Sequence, residues 1–247
     1  MPGVLVIQSH RDPLPHPWLQ DCLRSVRRWS TLRGFDYRFL GDELFAPLCA
    51  EIMSRTREQT VIATDLARLI QLRQALEGGY ETVIWCDADF LVFAPERLDL
   101  REEPFALGRE IWVQQGNRGG LKAFFRVHNA FMMFRRGNSF LDFYIDRAQH
   151  LLNLNSGRMP PQFIGPKLLS ALHNICYFPV EERAGMLSPL VIEDLLGGGQ
   201  AALELFRERS VSPAAGANLC SSSVQRNEVT DRQMQVLIQH LLEVREL

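Results

Sequence analysis

The stretch Thr82-Val-Ile-Trp-Cys-Asp-Ala-Asp-Phe-Leu-Val-Phe93 limits what this chain can fold into more than any other. It is largely apolar apart from two carboxylates, Asp87 and Asp89, and is bounded by Gly78-Gly79 and Ala94-Pro95. A short apolar run between such punctuators reads as a central, buried β-strand. Side chains alternate faces along an extended chain, so Asp87 and Asp89 are expected on one side and Ala88 on the other. Two acids at the carboxyl end of a buried strand are costly unless something neutralises them. A divalent cation carrying a phosphorylated ligand would do so: Mg²⁺-type ions take one or two carboxylates and complete their shell with phosphate oxygens and water. Open α/β sheets bind ligands at this end of their strands. The plainer reading has Asp87 in a turn cap and Asp89 solvated.

The flanking order supports a sheet around that strand. Val4 to Ser9 reads as a first strand, and Pro17 is placed to open a helix carrying Leu19, Cys22, Leu23, Val26 and Trp29 at helical spacing. Gly34 ends it, and Phe35 to Leu40 reads as a second strand, so the order strand, helix, strand implies parallel pairing. Helices follow from about Leu48 to Arg57 and from Ala63 to Glu77. Asp65 and Arg68 sit three apart on the second, and on spacing alone they read as a surface ion pair worth little.

Beyond the central strand the pattern loosens. Phe105-Ala-Leu107 reads as a short strand, Gly116 to Gly120 as a mobile loop, and Asn129 to Phe134 as another apolar strand. Ser139, with Asp142 three residues on, is expected to cap a helix to about Leu152, and Gly165-Pro166 to introduce a shorter helix through His173. The segments Arg109–Val127 and Glu181–Ser212 read as variable loops, with Gly197-Gly-Gly199 a flexible connection. Thr230 and Gln233 form a capping box for a last helix whose Met234, Leu237, Ile238, Leu241 and Leu242 share a face. That face is expected against the domain, with a homodimer contact as the alternative.

Composition removes several classes. A formal net charge of −2 over 247 residues argues against a dedicated nucleic-acid binder. The five cysteines are odd in number, widely spaced and without a C-x-x-C pair, which suggests reduced thiols and a cytoplasmic protein. No apolar run reaches bilayer-spanning length, and a strand at Val4 leaves no room for a signal peptide, so no integral membrane segment is expected. Without a linker or repeat, residues 1–247 read as one α/β domain, with 1–100 and 101–247 as its two halves and the last helix in the second.

Taken together, Thr64-Asp65-Leu66-Ala67-Arg68, Gly78-Gly79 and Asp87-Ala88-Asp89 resemble the nucleotide-sugar-binding half of GT-A glycosyltransferases. The resemblance is to the DXD sugar-binding-region family of mannosyltransferase-like enzymes (family 32-like), and more remotely to family 8 and the glucosylating toxins. Val6-Ile7-Gln8-Ser9, Asn129-Ala130-Phe131 with Arg135-Arg136-Gly137, and Gly165-Pro166 also fit it, over roughly Val4 to Leu172. It implies a Rossmann-like domain with a central, mostly parallel sheet flanked by helices, 1–100 being the nucleotide-sugar-binding half and 101–247 the acceptor-side half. It implies transfer of a hexose from a UDP- or GDP-sugar to a hydroxyl of a glycan, lipid-linked or small-molecule acceptor, with Mn²⁺ or Mg²⁺ and retention of configuration.

The same resemblance assigns roles. Asp89 would be the principal metal ligand, and Asp87 would meet ribose, metal-bound water or the metal, with Ala88 between them. Asp65 and Arg68 would hold phosphate or sugar hydroxyls, and Gln8 and Ser9 would sit near base and ribose. Asn218-Leu-Cys-Ser221 is the nearest match to the family's C-terminal metal or diphosphate contact, giving Asn218 and Ser221; ordinary loop polarity is the other reading. An inverting enzyme would instead need a base, for which His128, Glu193, Asp194 and Glu228 are available. Two alternatives remain: an Asp-nucleophile phosphohydrolase of the haloacid-dehalogenase type, with Lys167 as its lysine, and a catalytically inactive sugar- or nucleotide-binding GT-A protein.

Overall fold

The computed structural model describes residues 3–117, 119–155 and 157–247. Its first half follows the apolar periodicity closely. Strand β1 (Val4–Ser9) leads through a Pro-rich loop to helix α1 (Leu19–Arg33), which buries Leu19, Cys22, Leu23, Val26 and Trp29. Gly34 ends that helix in the left-handed conformation (φ 68°), where a glycine carries no Cβ penalty. Strand β2 (Asp36–Leu40), a 3-10 turn, helix α2 (Ala50–Arg55) and helix α3 (Thr60–Glu77) bring the chain to β3 (Thr82–Cys86). All five residues of β3 are buried, because the strand is covered on both faces.

Strand β4 (Phe90–Val92) comes at once, then the long strands β5 (Phe105–Gln115) and β6 (Leu121–Arg135). Helices α4 (Ser139–Leu154) and α5 (Pro166–Cys176), strands β7 (Val180–Glu181) and β8 (Ala184–Met186), and helices α6 (Pro189–Glu193) and α7 (Ala201–Arg209) come next. Strand β9 (Gly216–Asn218) and helices α8 (Ser222–Gln225) and α9 (Asp231–Val244) complete the order.

The main sheet has the order β2-β1-β3-β6-β5-β7. β1 pairs in parallel with β2 and β3, β6 runs antiparallel to both β3 and β5, and β7 lies parallel to β5. Every strand but β6 therefore points the same way, the mostly parallel α/β arrangement expected from the sequence. One apolar core lies on the α1 face, with Val6, Ile84, Phe131 and Met133. The other lies on the α3 and α4 face, with Leu5, Ile7, Val83 and Trp85. A smaller sheet, β4-β9-β8, joins the chain just past β3 to its C-terminal part.

Several expectations are corrected. The central stretch is not one strand: Phe90 N donates to Asp87 O (3.0 Å), so Asp87-Ala88-Asp89 turns the chain from β3 into the second sheet. The segment 109–127 is a β-hairpin rather than a loop, since β5 and β6 pair from Gly108/His128 out to Gln115/Leu121. The expected mobile loop is the end of that hairpin, and its Arg118 lies outside the described residues. Residues 181–212 hold β8, α6 and α7. Asn138, not Ser139, caps α4: its side chain accepts from Leu141 N at 3.1 Å. The capping box of α9 is present as expected, with Met234, Leu237, Ile238 and Leu241 buried, while Leu242 is 41% exposed. Among the described residues no helix is long and apolar enough to cross a membrane.

The β5–β6 ladder is interrupted at one place. On β6, Met132 pairs with Leu107 but His128 pairs with the next residue, Gly108, so Asn129, Ala130 and Phe131 bulge out of the ladder. A bulge re-aims side chains and backbone groups locally. Gly108 is required there, because a Cβ would meet the His128 ring at 2.2 Å.

Candidate functional site

Three elements converge at the carboxyl end of β3. The turn after β3 supplies Asp87 and Asp89, the first turns of α3 supply Asp65 and Arg68, and the β6 bulge supplies Asn129. Arg68 is buried, and its guanidinium reaches Asp87 Oδ1 at 2.8 Å, Asp65 Oδ1 at 3.1 Å and the carbonyl of Asn129 at 3.1 Å. The surface ion pair read from spacing is thus a buried junction: the Arg68 side chain is 6% exposed and that of Asp65 3%. Burial works against the charge of Arg68, but Asp87 and Asp65 outweigh it and raise its pKa.

Asp87 is held from every side but one. Trp85 Nε1 donates to the same Oδ1 at 2.6 Å, and the Trp85 ring lies under Arg68, 5.1 Å from the guanidinium carbon. Asp87 N donates to Ala130 O (2.8 Å) in the bulge, and Gln8 Nε2 donates to Asp87 O (3.0 Å). Its carboxylate is 27% exposed, and Oδ2 takes no hydrogen bond among the described residues.

Asp89 is held quite differently. Asn218 Nδ2 donates to Oδ1 at 2.6 Å and Ser221 N donates to Oδ2 at 2.8 Å. Asn218 Oδ1 is occupied by Cys220 N at 2.8 Å, which orients the amide. Burial, then the negative charge of Asp87, push the Asp89 carboxyl above its usual range, and the bonds from Ser221 and Asn218 work against that. Among the described residues only neutral groups donate hydrogen bonds to this carboxylate.

Asp65 accepts Asn129 Nδ2 on Oδ1 at 2.8 Å, while its Oδ2 is buried without a partner. Burial raises its pKa, against Arg68 and Asn129. The first residues of α5 lie against it: a Cβ on Gly165 would meet Asp65 Oδ2 at 2.6 Å and Asn129 Nδ2 at 2.9 Å.

Two carboxylates, Asp65 and Asp87, thus contact one guanidinium, and Asp89 adds a third negative group without a cationic partner among the described residues. A divalent cation fits that donor set, since hard cations take carboxylate oxygens and leave positions for water and phosphate. Among the described residues no three His, Cys, Asp or Glu form a metal-holding group. The two aspartates would therefore share such an ion with substrate oxygens and water.

The other expected residues fall into place around this centre. Gln8 is fully buried with both ends of its amide engaged, Nε2 on Asp87 O and Oε1 on the Tyr37 hydroxyl at 3.1 Å. Ser9 ends β1 beside Leu40, half-buried, and Ala88 is buried between the two aspartates. His128 is fully buried: Nε2 bonds Ala184 O (3.1 Å), Nδ1 accepts Ala130 N (3.2 Å), and burial brings its pKa down to about 4. It braces β6 against β8 as a neutral ring. Asp194 caps α7 through Ala202 N and Leu203 N, Glu228 pairs with Arg226, and Lys167 is exposed on α5.

Trp85 and Asn129 escape sequence reasoning as site residues. The signal for Trp85 is its position two residues before Asp87. For Asn129 it is the Asn129-Ala130-Phe131 stretch of the resemblance, while the bulge that aims it cannot be read from periodicity.

No family model matches the chain, and no curated protein matches it significantly. Solved structures do. A glycosyltransferase involved in glycosylation of the major capsid of PBCV-1 superposes over 95% of this chain and 100% of its own, with a TM-score of 0.51 at 12% identity. The galactosyltransferase LgtC, solved with donor and acceptor sugar analogs, gives 0.46 at 15% identity over 95% of each chain. The apo form of the glycosyltransferase GlyE of Streptococcus pneumoniae TIGR4 gives 0.41 at 11%, over 99% of this chain and 64% of its own. The first of these establishes the fold as that of a solved glycosyltransferase.

Proposed function

We propose that this chain is a glycosyltransferase that moves a sugar from a nucleoside-diphosphate sugar to a hydroxyl acceptor, with a divalent metal and retention of configuration. The observation that carries the reading is the pair Asp87 and Asp89 at the carboxyl end of β3, of which Asp87 is paired with Arg68 and Asp89 has no cationic partner among the described residues. Asp89 and Asp87 would hold Mn²⁺ or Mg²⁺. Such an ion, when bound, neutralises the diphosphate leaving group as a Lewis acid.

The remaining roles belong to the chain itself. Asn218 and Ser221 fix Asp89 in place. Arg68 orients Asp87 and adds positive charge where the leaving group would develop negative charge. Asp65, bonded to Arg68 and Asn129 and covered by the start of α5, would act as a positioning residue for Arg68. Gln8, buried, acts as a positioning residue for Asp87, and Ser9 is the nearer candidate for ribose. Three of the four bases available for inversion, His128, Asp194 and Glu228, are each committed to a partner elsewhere, which favours retention; the fourth, Glu193, is exposed on α6. The donor's leaving phosphate would then take the acceptor proton.

The test is release of nucleoside diphosphate from UDP- and GDP-sugars in the presence of Mn²⁺, with p-nitrophenyl phosphate as the phosphohydrolase control. Turnover of one sugar nucleotide, lost in Asp89→Asn, is expected. Phosphate release from the phosphomonoester would move the chain to the phosphohydrolase class. Donor binding without any turnover would make it a binding protein.

A further inference from the structure

Helix α1 turns Arg24, Arg27 and Arg28 outward, on one ridge at three- and four-residue spacing. On one side of the ridge lies a cleft of about 320 Å³ with Arg11, Tyr37 and Phe39 in its walls. On the other lies a cleft of about 650 Å³ floored by Val92, Phe93, Pro95 and Leu242, with Arg245 at its rim. Carboxylates compensate only part of this charge. Asp21 pairs with Arg24, Glu96 with Arg245, and Asp12 lines the first cleft. Arg27 lies over the Tyr37 ring at 5.9 Å, and Arg11, Arg27 and Arg28 have no carboxylate partner among the described residues. This face is positive in a chain whose formal net charge is −2.

Apolar side chains are exposed within and beside the same face. Leu32, one turn beyond Arg28, is 62% exposed, Leu242 41% and Phe39 40%. Like charges held together without counter-ions favour a polyanionic partner. Exposed aliphatic side chains among them favour a partner with an apolar layer beneath its charge, which an anionic bilayer has and a nucleic acid or free phosphate lacks.

We infer that the α1 face docks on the surface of an anionic lipid bilayer. The docking is peripheral, by arginine contact with headgroups and shallow burial of Leu32, Leu242 and Phe39. Arg11 is two residues beyond the end of β1, so the docked face adjoins the end of the sheet that carries Asp87 and Asp89. The inference stands on charge and exposure and does not depend on the transfer reading.

The experiment is co-sedimentation of the full chain with vesicles of phosphatidylglycerol and phosphatidylcholine, against vesicles of phosphatidylcholine alone, at low and at 0.5 M salt (about a 4 Å screening length). Binding only to the anionic vesicles, lost at high salt, is expected. Arg11→Ala/Arg28→Ala removes two side chains without hydrogen bonds or ion pairs among the described residues. It should weaken binding about 25-fold, at about five-fold per arginine. Arg147→Ala/Arg158→Ala removes the same charge from α4 and the loop after it, and should leave binding within about two-fold on the same scale. Leu32→Ser should weaken binding without changing its salt dependence. No sedimentation with anionic vesicles, equal loss in both arginine pairs, or complete displacement by a short oligonucleotide would overturn the inference.

Discussion

Asp87 and Asp89 lie two residues apart and are held by opposite means. Asp87 is fixed by a buried guanidinium and an indole N–H from the first half of the chain and by the β6 bulge. Asp89 belongs to the second half, where an amide and a backbone N–H from the last third of the sequence fix it. One carboxylate is compensated by charge and the other by dipoles alone. The difference leaves the uncompensated negative charge on Asp89, and the geometry of the pair depends on distant parts of the chain being folded together.

The largest test of that contrast is Arg68→Met. It leaves Asp65 and Asp87 buried without their cation, and the expected cost is about 3–5 kcal/mol in urea unfolding. A loss below about 1 kcal/mol would mean that the junction is wetter than its burial indicates. Adding Asp65→Asn should return part of the loss, because the two side chains are coupled.

Next comes the neutral brace between β6 and β8. The His128 pKa of about 4 lies below the unfolded value near 6.5. The unfolded chain therefore binds more protons between those values, and stability present above pH 6.5 is lost as pH falls through 4. The expected size is about 3 kcal/mol, read as the slope of urea stability between pH 4 and 6.5. His128→Gln should flatten that slope. An unchanged slope would place the acid sensitivity elsewhere.

Asn218→Ala probes the dipolar side directly. Removing a donor to a buried carboxylate should cost about 1.5–3 kcal/mol, seen in stability and in metal-dependent donor binding. If donor binding is unaffected while stability falls, Asn218 serves the fold alone. The smallest effect is expected from Thr230→Ala, which opens the α9 capping box and costs about 1 kcal/mol without touching Asp89. Loss of donor binding in that variant would tie the last helix to the site.

How far the sequence could be read follows the same division. β1, α1, β2, α3 and β3 were legible because their apolar residues repeat at the period of the element they form. The buried Asp65–Arg68 junction was not, since spacing on α3 cannot tell a solvated pair from one covered by β6 and α5. β5 was legible only to Leu107. Gly108, opposite the β6 bulge, then Arg109 held by Glu182 and the buried Glu110 break the apolar alternation. β7, β8 and β9 are two or three residues long and exist through pairing with strands distant in sequence, such as Phe90 with Asn218. The expectation that Asp87 and Asp89 share a strand face failed because the chain turns at Ala88 to reach that second sheet.

The most direct measurement is thermal unfolding with UDP-, GDP-, CMP- and dTDP-sugars, with and without Mn²⁺, on the wild type and on Asp89→Asn. A ligand present at about a hundred times its Kd stabilises the native state by about 2.7 kcal/mol, a clear rise in midpoint. The account predicts a metal-dependent rise with one nucleotide, absent in Asp89→Asn. No rise with any nucleotide, or the same rise in the variant, would contradict it.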